Sequence, residues 1–508
     1  MEQVFDVAII GGGINGCGCA ADAALRGLSV VLIEQDDLAS KTSSKSTKLI
    51  HGGLRYLEQF DFSLVKKALD ERQRLLQLAP HLIHPLPLVL PYQKNRRPFW
   101  MLRVGLFLYD HLSQSNTLPQ TKLIRRQPQS SYFAPLTEEL NKGFLFYDCA
   151  TDDARLTLAN AMQAKEHGAT ILTQTKLMQA EGVGDQWQLT LQRKTIGPMK
   201  ITAKAIINTT GPWVSAVNQL LHIPMEHTMS LVKGSHLVVQ KLYEGDHAYM
   251  LQHDDKRIVF AIPYQGYTMV GTTDVAFSGD LENIHIDAHE IDYLCAIINH
   301  YFNKKLHEHE IVTTWSGIRP LLSHQGKTAS ALSRDYIYHY ANQPAPAVTV
   351  YGGKITTYRQ LAQQAVNQLH EIFPNLPSSL TATTPLPGAV LGAMDFTEYQ
   401  IFAKQKYHWL EKETLDRYLK SYGTRIEKML AGCNTITDLG ICFTPTLYQV
   451  EVDYLLNEEW AQNGEDILWR RTKLGLHINE SEEKTLADYL LKASSKSSAM
   501  CTSTGFFL

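Results

Sequence analysis

The sequence of 508 residues predicts an α/β protein that combines a doubly wound parallel sheet with a separate antiparallel β domain and an α-helical C-terminal domain. An apolar strand, a glycine-rich turn, an Ala-rich helix and a second strand open the chain, which is how a parallel sheet begins. Extended runs separated by turn signals fill residues 248–273. From about residue 395 onward, a charged pattern with helical periodicity replaces the strand signals.

Length and composition bound the class of protein. The chain is too long for one compact core, so two or three domains are expected. Lys+Arg 48 against Asp+Glu 51 leave no basic excess, so nucleic acid is not an expected partner. The seven cysteines form no CxxC pair, so we expect neither a metal site nor disulfides, as in the reducing cytoplasm. We also expect neither a signal peptide nor a membrane-spanning helix.

The first turn carries the pattern Gly11-x-Gly13-x-x-Gly16 between a strand and a helix, and the next strand ends at Glu34. Gly11 allows the tight turn, Gly13 lets the backbone approach a pyrophosphate, and Gly16 lets the helix pack on the strand. Glu34 is spaced to bind ribose hydroxyls. Because all these parts occur in order, they predict a Rossmann-type dinucleotide site rather than an unliganded turn.

The choice between FAD and NAD depends on two further features. The glycine unit lies at the extreme N-terminus, as in many flavin oxidoreductases. The segment Ala205–Trp213, which contains Gly211, is similar to the strand and glycine that such proteins bring back to the flavin. FAD is therefore the expected cofactor.

The predicted domains are not contiguous. Ala203–Asn208 and Ala347–Tyr351 are apolar strands that could return to the first sheet. The FAD-dependent region is predicted to span residues 1–384, and the helical C-terminal domain residues 385–508. Within the first region, the FAD-binding pieces are about 1–90, 145–230 and 340–384, and the substrate-binding sheet is about 231–339.

The segment Thr42–Leu57 (TSSKSTKLIHGGLRYL) closely resembles the signature of the FAD-dependent, respiratory glycerol-3-phosphate dehydrogenases. One position departs from it: Lys45 stands where relatives can carry Arg or a small residue, which weakens any role for this side chain. The likeness continues in order at Asp152–Arg155, Asn208–Trp213, Lys233–His236, Gly271–Asp274, Ser316–Pro320, Ser333–Asp335, Tyr351–Tyr358 and Leu468–Lys473.

This resemblance implies oxidation of sn-glycerol-3-phosphate to dihydroxyacetone phosphate by hydride transfer to FAD, with electrons passed to ubiquinone or another membrane quinone. It also implies a homodimer, peripherally associated with the cytoplasmic face of the inner membrane. The matching motifs suggest the cofactor-binding residues Gly11, Gly13, Gly16, Glu34, Thr42, Ser43, Ser44, Lys48, Gly211, Gly353, Lys354 and Thr356.

The chemistry assigns roles to further residues. A phosphate dianion needs cations and hydrogen-bond donors, for which Arg55, Tyr56, Arg319 and Arg334 are the candidates. His51 and His236 are the candidate bases for the hydroxyl proton, because imidazole titrates near neutral pH. Arg319 would also favour the developing alkoxide. Lys354, before a helical run, would stabilise the charge of the reduced flavin.

The segment Lys94–Trp100 places basic residues before the apolar stretch Met101–Asp110. Such a segment suits anionic headgroups, and burial as a core helix is an equal alternative. The first alternative predicts liposome binding that weakens when Arg96 and Arg97 become Glu.

Three other functions stay open. A glycerol-3-phosphate oxidase would pass electrons to oxygen and release peroxide. An amine or amino-acid oxidase on the same scaffold would have no need of a phosphate-binding arginine set. A non-catalytic FAD- or NAD-binding module would show no bleaching by substrate.

Overall fold

The computed structural model describes residues 4–94, 96–128, 130–194, 197–255, 257–323 and 335–504. The chain divides into two compact units, Met1–Pro385 and Leu386–Leu508. No helix within these described ranges is long and apolar enough to cross a membrane.

The first unit contains most of the strands. They are β1 (Val4–Ile10), β2 (Val30–Ile33), β3 (Leu49–Ile50), β4 (Ile83–Pro91), β5 (Lys122–Arg125), β6 (Lys142–Thr151), β7 (Thr170–Leu172), β8 (Thr175–Val183), β9 (Gln186–Arg193), β10 (Gly197–Asn208), β11 (Met229–Val239), β12 (Ala248–Gln252), β13 (Ile258–Tyr264), β14 (Tyr267–Gly271), β15 (Val275–Ala276), β16 (Ile311–Leu322), β17 (Tyr336–Ala341) and β18 (Ala347–Gly352).

Seven α-helices connect or cover these strands in the described part of the first unit. They are α1 (Ile14–Leu25), α2 (Phe62–Leu78), α3 (Phe99–His111), α4 (Asp153–Glu166), α5 (Val214–Leu220), α6 (Ala288–Tyr301) and α7 (Tyr358–Asn367).

The first sheet has the strand order β17-β18-β10-β1-β2-β7, and the hairpin β8–β9 continues it from β10. The pairs β1–β2, β1–β10, β10–β18 and β2–β7 are parallel, whereas β17 is antiparallel to β18. All four residues of β2 are buried, as expected for a parallel strand covered on both faces. The strands predicted to return to this sheet, β10 and β18, do so, and the predicted fold class is confirmed.

The second sheet has the order β15-β11-β14-β13-β12-β4-β6-β3, with β16 paired to β11 and β5 paired to β6. The strands β12, β13 and β14 form the predicted antiparallel meander. The sheet also draws β3, β4, β5 and β6 from residues 49–151, beyond the predicted range of 231–339. Leu294, Ile297 and Ile298 of α6 are buried against one face.

The second unit is mainly helical. Its elements are α8 (Phe396–Lys406), α9 (Lys412–Tyr422), α10 (Ile426–Met429), β19 (Cys442–Thr444), β20 (Leu447–Tyr448), α11 (Gln449–Glu458) and α12 (Glu480–Thr504). A capping box between Asp395 and Glu398 begins α8 and satisfies its first backbone N–H groups. Buried tyrosines and leucines of α9, including Tyr418 and Leu419, form the core of this unit.

Candidate active site

The glycine turn between β1 and α1 has the geometry that its sequence predicts. Gly11 has φ +106°, which disfavours any residue with a side chain. A Cβ at Gly16 would lie 1.8 Å from the carbonyl oxygen of Gly11, so only glycine allows the helix to approach the turn. The hydroxyl of Ser43 accepts a hydrogen bond from the Ile14 N–H at 2.9 Å. The turn and the start of α1 therefore have the geometry that favours binding of an anion.

A cavity of about 740 Å³ opens beside this turn and reaches the second sheet. Its volume falls in the range of small-molecule and cofactor sites. Three further segments line the cavity together with the turn. They are residues 39–47 without Ser44, residues 209–220 without Val214, Ser215 and Asn218, and residues 352–356. The predicted site residues that line it are Gly11, Gly13, Glu34, Thr42, Ser43, His51, Tyr56, Gly211, His236, Arg319, Gly353, Lys354 and Thr356.

Glu34 lies at the end of β2 with its carboxylate toward the glycine turn. Its two oxygens accept hydrogen bonds from the backbone N–H groups of Gly12 at 2.6 Å and Asp36 at 2.8 Å. Removal from water raises the pKa of Glu34 to about 7, since burial disfavours the charged form more than these bonds stabilise it. A ribose hydroxyl that donated to this carboxylate would favour its ionised form.

The backbone of His51 is held in place by hydrogen bonds with Thr356. The Thr356 hydroxyl accepts from the His51 N–H at 3.3 Å and donates to the His51 carbonyl oxygen at 3.4 Å. The next peptide N–H, that of Gly52, donates to the Tyr109 hydroxyl at 2.7 Å. His51 is thereby fixed at the cavity wall between the two sheets.

Arg319 on β16 is the most highly bonded cation of the site. Its guanidinium forms an ion pair with Asp274, and it donates to the Thr272 hydroxyl at 2.8 Å and to the Thr273 carbonyl at 3.1 Å. Arg55 approaches the other oxygen of Asp274, at 3.9 Å. Two guanidinium groups therefore approach one carboxylate, and Arg319 itself lines the cavity. A Cβ at Gly234 would overlap Arg319, so this glycine leaves room for the guanidinium.

His236 on β11 is a less suitable base. Its imidazole is buried, stacks on Trp315 with 5.5 Å between ring centroids, and its Nε2 lies 3.0 Å from the Thr47 hydroxyl. Burial, with the nearby charges of Arg319 and Lys48, holds the pKa of His236 well below its ordinary value. This environment disfavours the protonated imidazole. A base must become protonated when it takes the hydroxyl proton, so His236 is less suited to this role.

Lys354 follows two glycines with positive φ and precedes the short 3₁₀ turn Ile355–Thr357, which leads into α7. Its ammonium lies 5.2 Å from the centroid of the Tyr56 ring. Gly353 packs against α1, because a Cβ there would lie 3.1 Å from the side-chain amide of Asn15. The loop that carries Lys354 is therefore fixed to the start of α1.

The structure places four predicted site residues outside the cavity lining. Gly16 lies beneath the turn, and Arg55 lies 3.9 Å from the Asp274 carboxylate. Lys48 is buried in an ion pair with Asp153 at 2.9 Å, and its ammonium also donates to the Ser44 carbonyl at 3.0 Å. The Ser44 hydroxyl donates to the Lys41 carbonyl at 3.4 Å. The remaining candidate, Arg334, lies outside the described residues.

Two contributions to the site were not expected from the sequence. Asp274 and Thr272 orient Arg319, although their motif Gly271–Asp274 had been noted without a role. Tyr109 supports the peptide after His51 from α3, and its own sequence context gives no sign of this. The sequence contained one indication for Asp274. Its motif, Gly271–Asp274, belongs to the same series of matching motifs as the segment that contains Arg319.

Comparison with known proteins agrees with this geometry. Residues 6–359 match the model of the family described as FAD dependent oxidoreductase. Residues 379–490 match the model described as the C-terminal domain of alpha-glycerophosphate oxidase. The chain is thus a flavoprotein oxidoreductase that uses FAD.

Individual relatives cover nearly the whole chain. A glycerol-3-phosphate dehydrogenase of Pseudomonas aeruginosa is 46% identical over 96% of this chain and 96% of its own length. A D-erythritol 1-phosphate dehydrogenase of Brucella abortus is 41% identical over 96% and 98%. The solved structure of the glycerol-3-phosphate dehydrogenase from Bacillus halodurans complexed with FAD is similar with a TM-score of 0.73, 26% identity and coverage of 97% and 94%. The chain belongs to the FAD-dependent oxidoreductases, in the branch that contains the glycerol-3-phosphate dehydrogenases.

Proposed function

We propose that this protein oxidises sn-glycerol-3-phosphate to dihydroxyacetone phosphate and passes the electrons through FAD to a membrane quinone. The observation that carries the proposal is the cation pair Arg319 and Arg55, which share Asp274 beside a cavity that also contains His51 and the dinucleotide turn. A phosphorylated alcohol fits this site, because its phosphate would bind the cations and its hydroxyl would give its proton to the base.

The phosphate end of the substrate is bound by Arg319. Two of the hydrogen bonds of this guanidinium, to Thr272 and Asp274, fix its plane before substrate arrives. Each charge-assisted hydrogen bond to the phosphate contributes roughly 1.5–3 kcal/mol. Arg55 adds positive charge from behind Asp274, and the Tyr56 hydroxyl belongs to the same wall. Arg334 remains a proposed third cation.

His51 takes the hydroxyl proton of the substrate. As that O–H bond breaks, the proton moves to an imidazole nitrogen of His51, and the positive charge of Arg319 stabilises the oxygen that is becoming negative. When bound, FAD supplies the acceptor for the hydride that leaves the carbinol carbon, so the alcohol becomes a ketone. Lys354, which lines the cavity just before α7, would favour negative charge on the reduced ring when FAD is bound.

The test is flavin reduction under anaerobic conditions. The purified protein, loaded with FAD, is expected to lose its yellow colour when glycerol-3-phosphate is added and to keep it with glycerol alone, because glycerol has no phosphate. Protein that stays colourless after reconstitution with FAD, or flavin that no phosphorylated alcohol bleaches, would contradict the proposal.

D-Erythritol 1-phosphate is the second candidate substrate, because a dehydrogenase named for it is among the relatives. It offers the same phosphate and a secondary hydroxyl on a longer chain. Comparing kcat/KM for the two compounds decides between them, and a higher value for the longer compound would replace the proposed substrate.

The electron acceptor is proposed to lie in the membrane because α3 presents an apolar face. Trp100, Val104 and Phe107 recur at helical spacing and are 68%, 50% and 60% exposed. Phe60, just before α2, is 79% exposed. Aromatic side chains of this kind enter the headgroup boundary of a bilayer, where quinones are dissolved. Dye-linked quinone reduction without peroxide release under air would support this acceptor, whereas stoichiometric peroxide would favour the oxidase.

The basic residues before α3 are engaged with acids in the structure. Arg96 forms an ion pair with Asp254, and Arg97 forms one with Glu58. The apolar face is therefore the stronger basis for membrane contact than Arg96 and Arg97. A peripheral location on the cytoplasmic face of the inner membrane and a homodimer complete the proposal, and mass measurement in solution tests the dimer.

A further inference from the structure

A buried hydrogen-bonded cluster joins α3 to the peptide bond that follows His51. The Tyr109 hydroxyl accepts from the Gly52 N–H at 2.7 Å and donates to the Asp148 carboxylate, whose oxygens lie at 2.8 and 2.9 Å. Asp148 in turn forms an ion pair with Arg72 of α2 at 2.6 Å. All three side chains are buried, and Tyr109 and Asp148 are not among the residues that line the cavity.

The peptide unit between His51 and Gly52 is thereby held at both of its polar atoms. Its carbonyl oxygen accepts from the Thr356 hydroxyl on the cavity side. Its N–H donates to Tyr109 on the opposite side. Packing reinforces the second contact, because a Cβ at Gly52 would lie 2.7 Å from the Tyr109 hydroxyl oxygen. Rotation of this peptide would displace the imidazole, so both hydrogen bonds restrict where His51 points.

We propose that Tyr109 is a positioning residue for His51. The inference rests on the proposed function, in which His51 takes the hydroxyl proton. Tyr109 touches neither the substrate nor the flavin site. It acts through the Gly52 N–H, and Asp148 and Arg72 keep its hydroxyl oriented as an acceptor toward that N–H.

Two physical features favour this role over general core packing. Burial and the neighbouring Asp148 raise the pKa of Tyr109 well above its ordinary value, so the hydroxyl stays protonated and keeps both hydrogen bonds. Removal of one partner from a buried network leaves the other groups unsatisfied, so the Gly52 peptide would shift toward a new partner. A displacement of about 1 Å at a reacting group can cost on the order of 100-fold in rate.

The test uses Tyr109→Phe in the full-length FAD-loaded protein, because phenylalanine keeps the ring contacts with Phe146. Stopped-flow reduction of the flavin by saturating glycerol-3-phosphate is expected to slow by roughly 10- to 100-fold. KM is expected to change by less than about threefold, since the lost interaction acts on the proton-transfer step and not on substrate binding. A reduction rate equal to that of the control variant below would overturn the inference.

The matched control is Tyr249→Phe. Tyr249 is equally buried, and its hydroxyl donates to the Tyr132 carbonyl at 2.8 Å and lies 2.9 Å from the His247 Nε2, so its hydrogen bonds go to groups other than the peptide between His51 and Gly52. Both variants lose a buried hydroxyl, so both are expected to lower the melting temperature. Only Tyr109→Phe is expected to lower the rate of flavin reduction.

A second variant separates this inference from the proposed function. His51→Gln alone is expected to slow flavin reduction strongly, and adding Tyr109→Phe is expected to slow it by less than about a further twofold, because the two residues act through one group. If His51→Gln reduces the flavin at the normal rate, the assignment of the base fails, and the inference with it. If His51→Gln is slow but the two losses multiply independently, only the positioning role is overturned.

Discussion

The charge balance around Asp274 determines what the site binds. Arg319 and Arg55 both approach this one carboxylate, so two cations stand against one anion, and this arrangement favours a phosphate. Arg319→Ala would remove the Arg319–Asp274 ion pair and leave the Arg55–Asp274 contact, at 3.9 Å. We expect kcat/KM for glycerol-3-phosphate to fall by roughly 100-fold or more, because several charge-assisted hydrogen bonds are lost. FAD should stay bound.

Two further variants test whether the charge and the planar shape of Arg319 are both needed. Arg319→Lys retains the charge without the planar fork and is expected to recover part of the activity. Arg257→Ala removes an arginine of the turn between β12 and β13, whose partner is Asp255, and serves as the control. Unchanged turnover in Arg319→Ala, or apo protein after purification, would count against the assigned role.

Glu34 makes cofactor binding dependent on pH. Its pKa of about 7 in the folded apoprotein lies above the ordinary value of 4.5. The protonated form is therefore favoured by folding, and its stabilising contribution is present below about pH 4.5 and is lost as the pH rises through 7. FAD ribose hydroxyls favour the ionised form, so FAD affinity should increase between pH 6 and 8.

Glu34→Gln should weaken FAD binding by about tenfold at pH 8 and remove this pH dependence, because the amide cannot ionise. Titration of apoprotein with FAD, followed by flavin fluorescence at several pH values, measures both effects. Identical pH dependence in the variant would show that another group is responsible.

Residue roles were predictable where a local pattern defines them. Gly11, Gly13 and Gly16 act within one turn, so their spacing suffices. Asp274 and Arg319 meet only because the second sheet brings together residues 45 positions apart in sequence, and no local pattern contains that pairing. Lys48 resembled a cofactor contact, but the described fold places Asp153 beside its ammonium, which a sequence pattern cannot show.

At the scale of the element, α3 has two faces with separate consequences. One face carries buried Tyr109, and the other exposes Trp100, Val104 and Phe107. Replacement of Trp100 and Phe107 by Ser removes most of the exposed apolar area. We expect binding to phospholipid vesicles to weaken by at least about tenfold, because each buried aromatic side chain contributes roughly 1.5–3 kcal/mol.

The control for this experiment is Val183→Ser with Val312→Ser, which removes exposed apolar residues from two strands instead. Sedimentation with vesicles measures binding, and flavin reduction by glycerol-3-phosphate should be unaffected by either pair. If both pairs bind vesicles like the unmodified protein, α3 does not contact the membrane.

Elements differed in how clearly the sequence revealed them. The strand, turn and helix at the start follow directly from periodicity and glycine spacing. β4 was harder to predict, because Pro85 and Pro87 cannot donate ladder hydrogen bonds and argue against a strand. The structure accommodates them because β12 pairs with β4 only at Leu88 and Val89, beyond both prolines. Whether a strand can contain proline therefore depends on which strands lie next to it, and these neighbours are distant in sequence.

At the scale of the whole molecule, the cavity proposed to bind FAD is assembled from both ends of the first unit. The cavity needs Gly11–Gly13 at the start and Gly352–Thr356 near the end. A fragment that ends at Ala341 lacks β18 and this second wall, whereas one that ends at Pro385 keeps every lining residue. We expect only the longer fragment to bind FAD, measured by flavin absorbance after gel filtration. Equal flavin content in the shorter fragment would contradict this assembly.

The strands of the first sheet come from distant parts of the sequence, and this affects folding during synthesis. β1 and β2 leave the ribosome early, but β10 and β18, which complete the parallel sheet, are synthesised up to about 340 codons later. At roughly 5–20 residues per second, this interval lasts on the order of 20–70 s. During that time, β1 and β2 can pair with each other, but the edge of β1 that faces β10 has no native neighbour and is prone to aggregate. The yield of active enzyme in a cell that overproduces it should therefore rise when chaperones are supplied together with it.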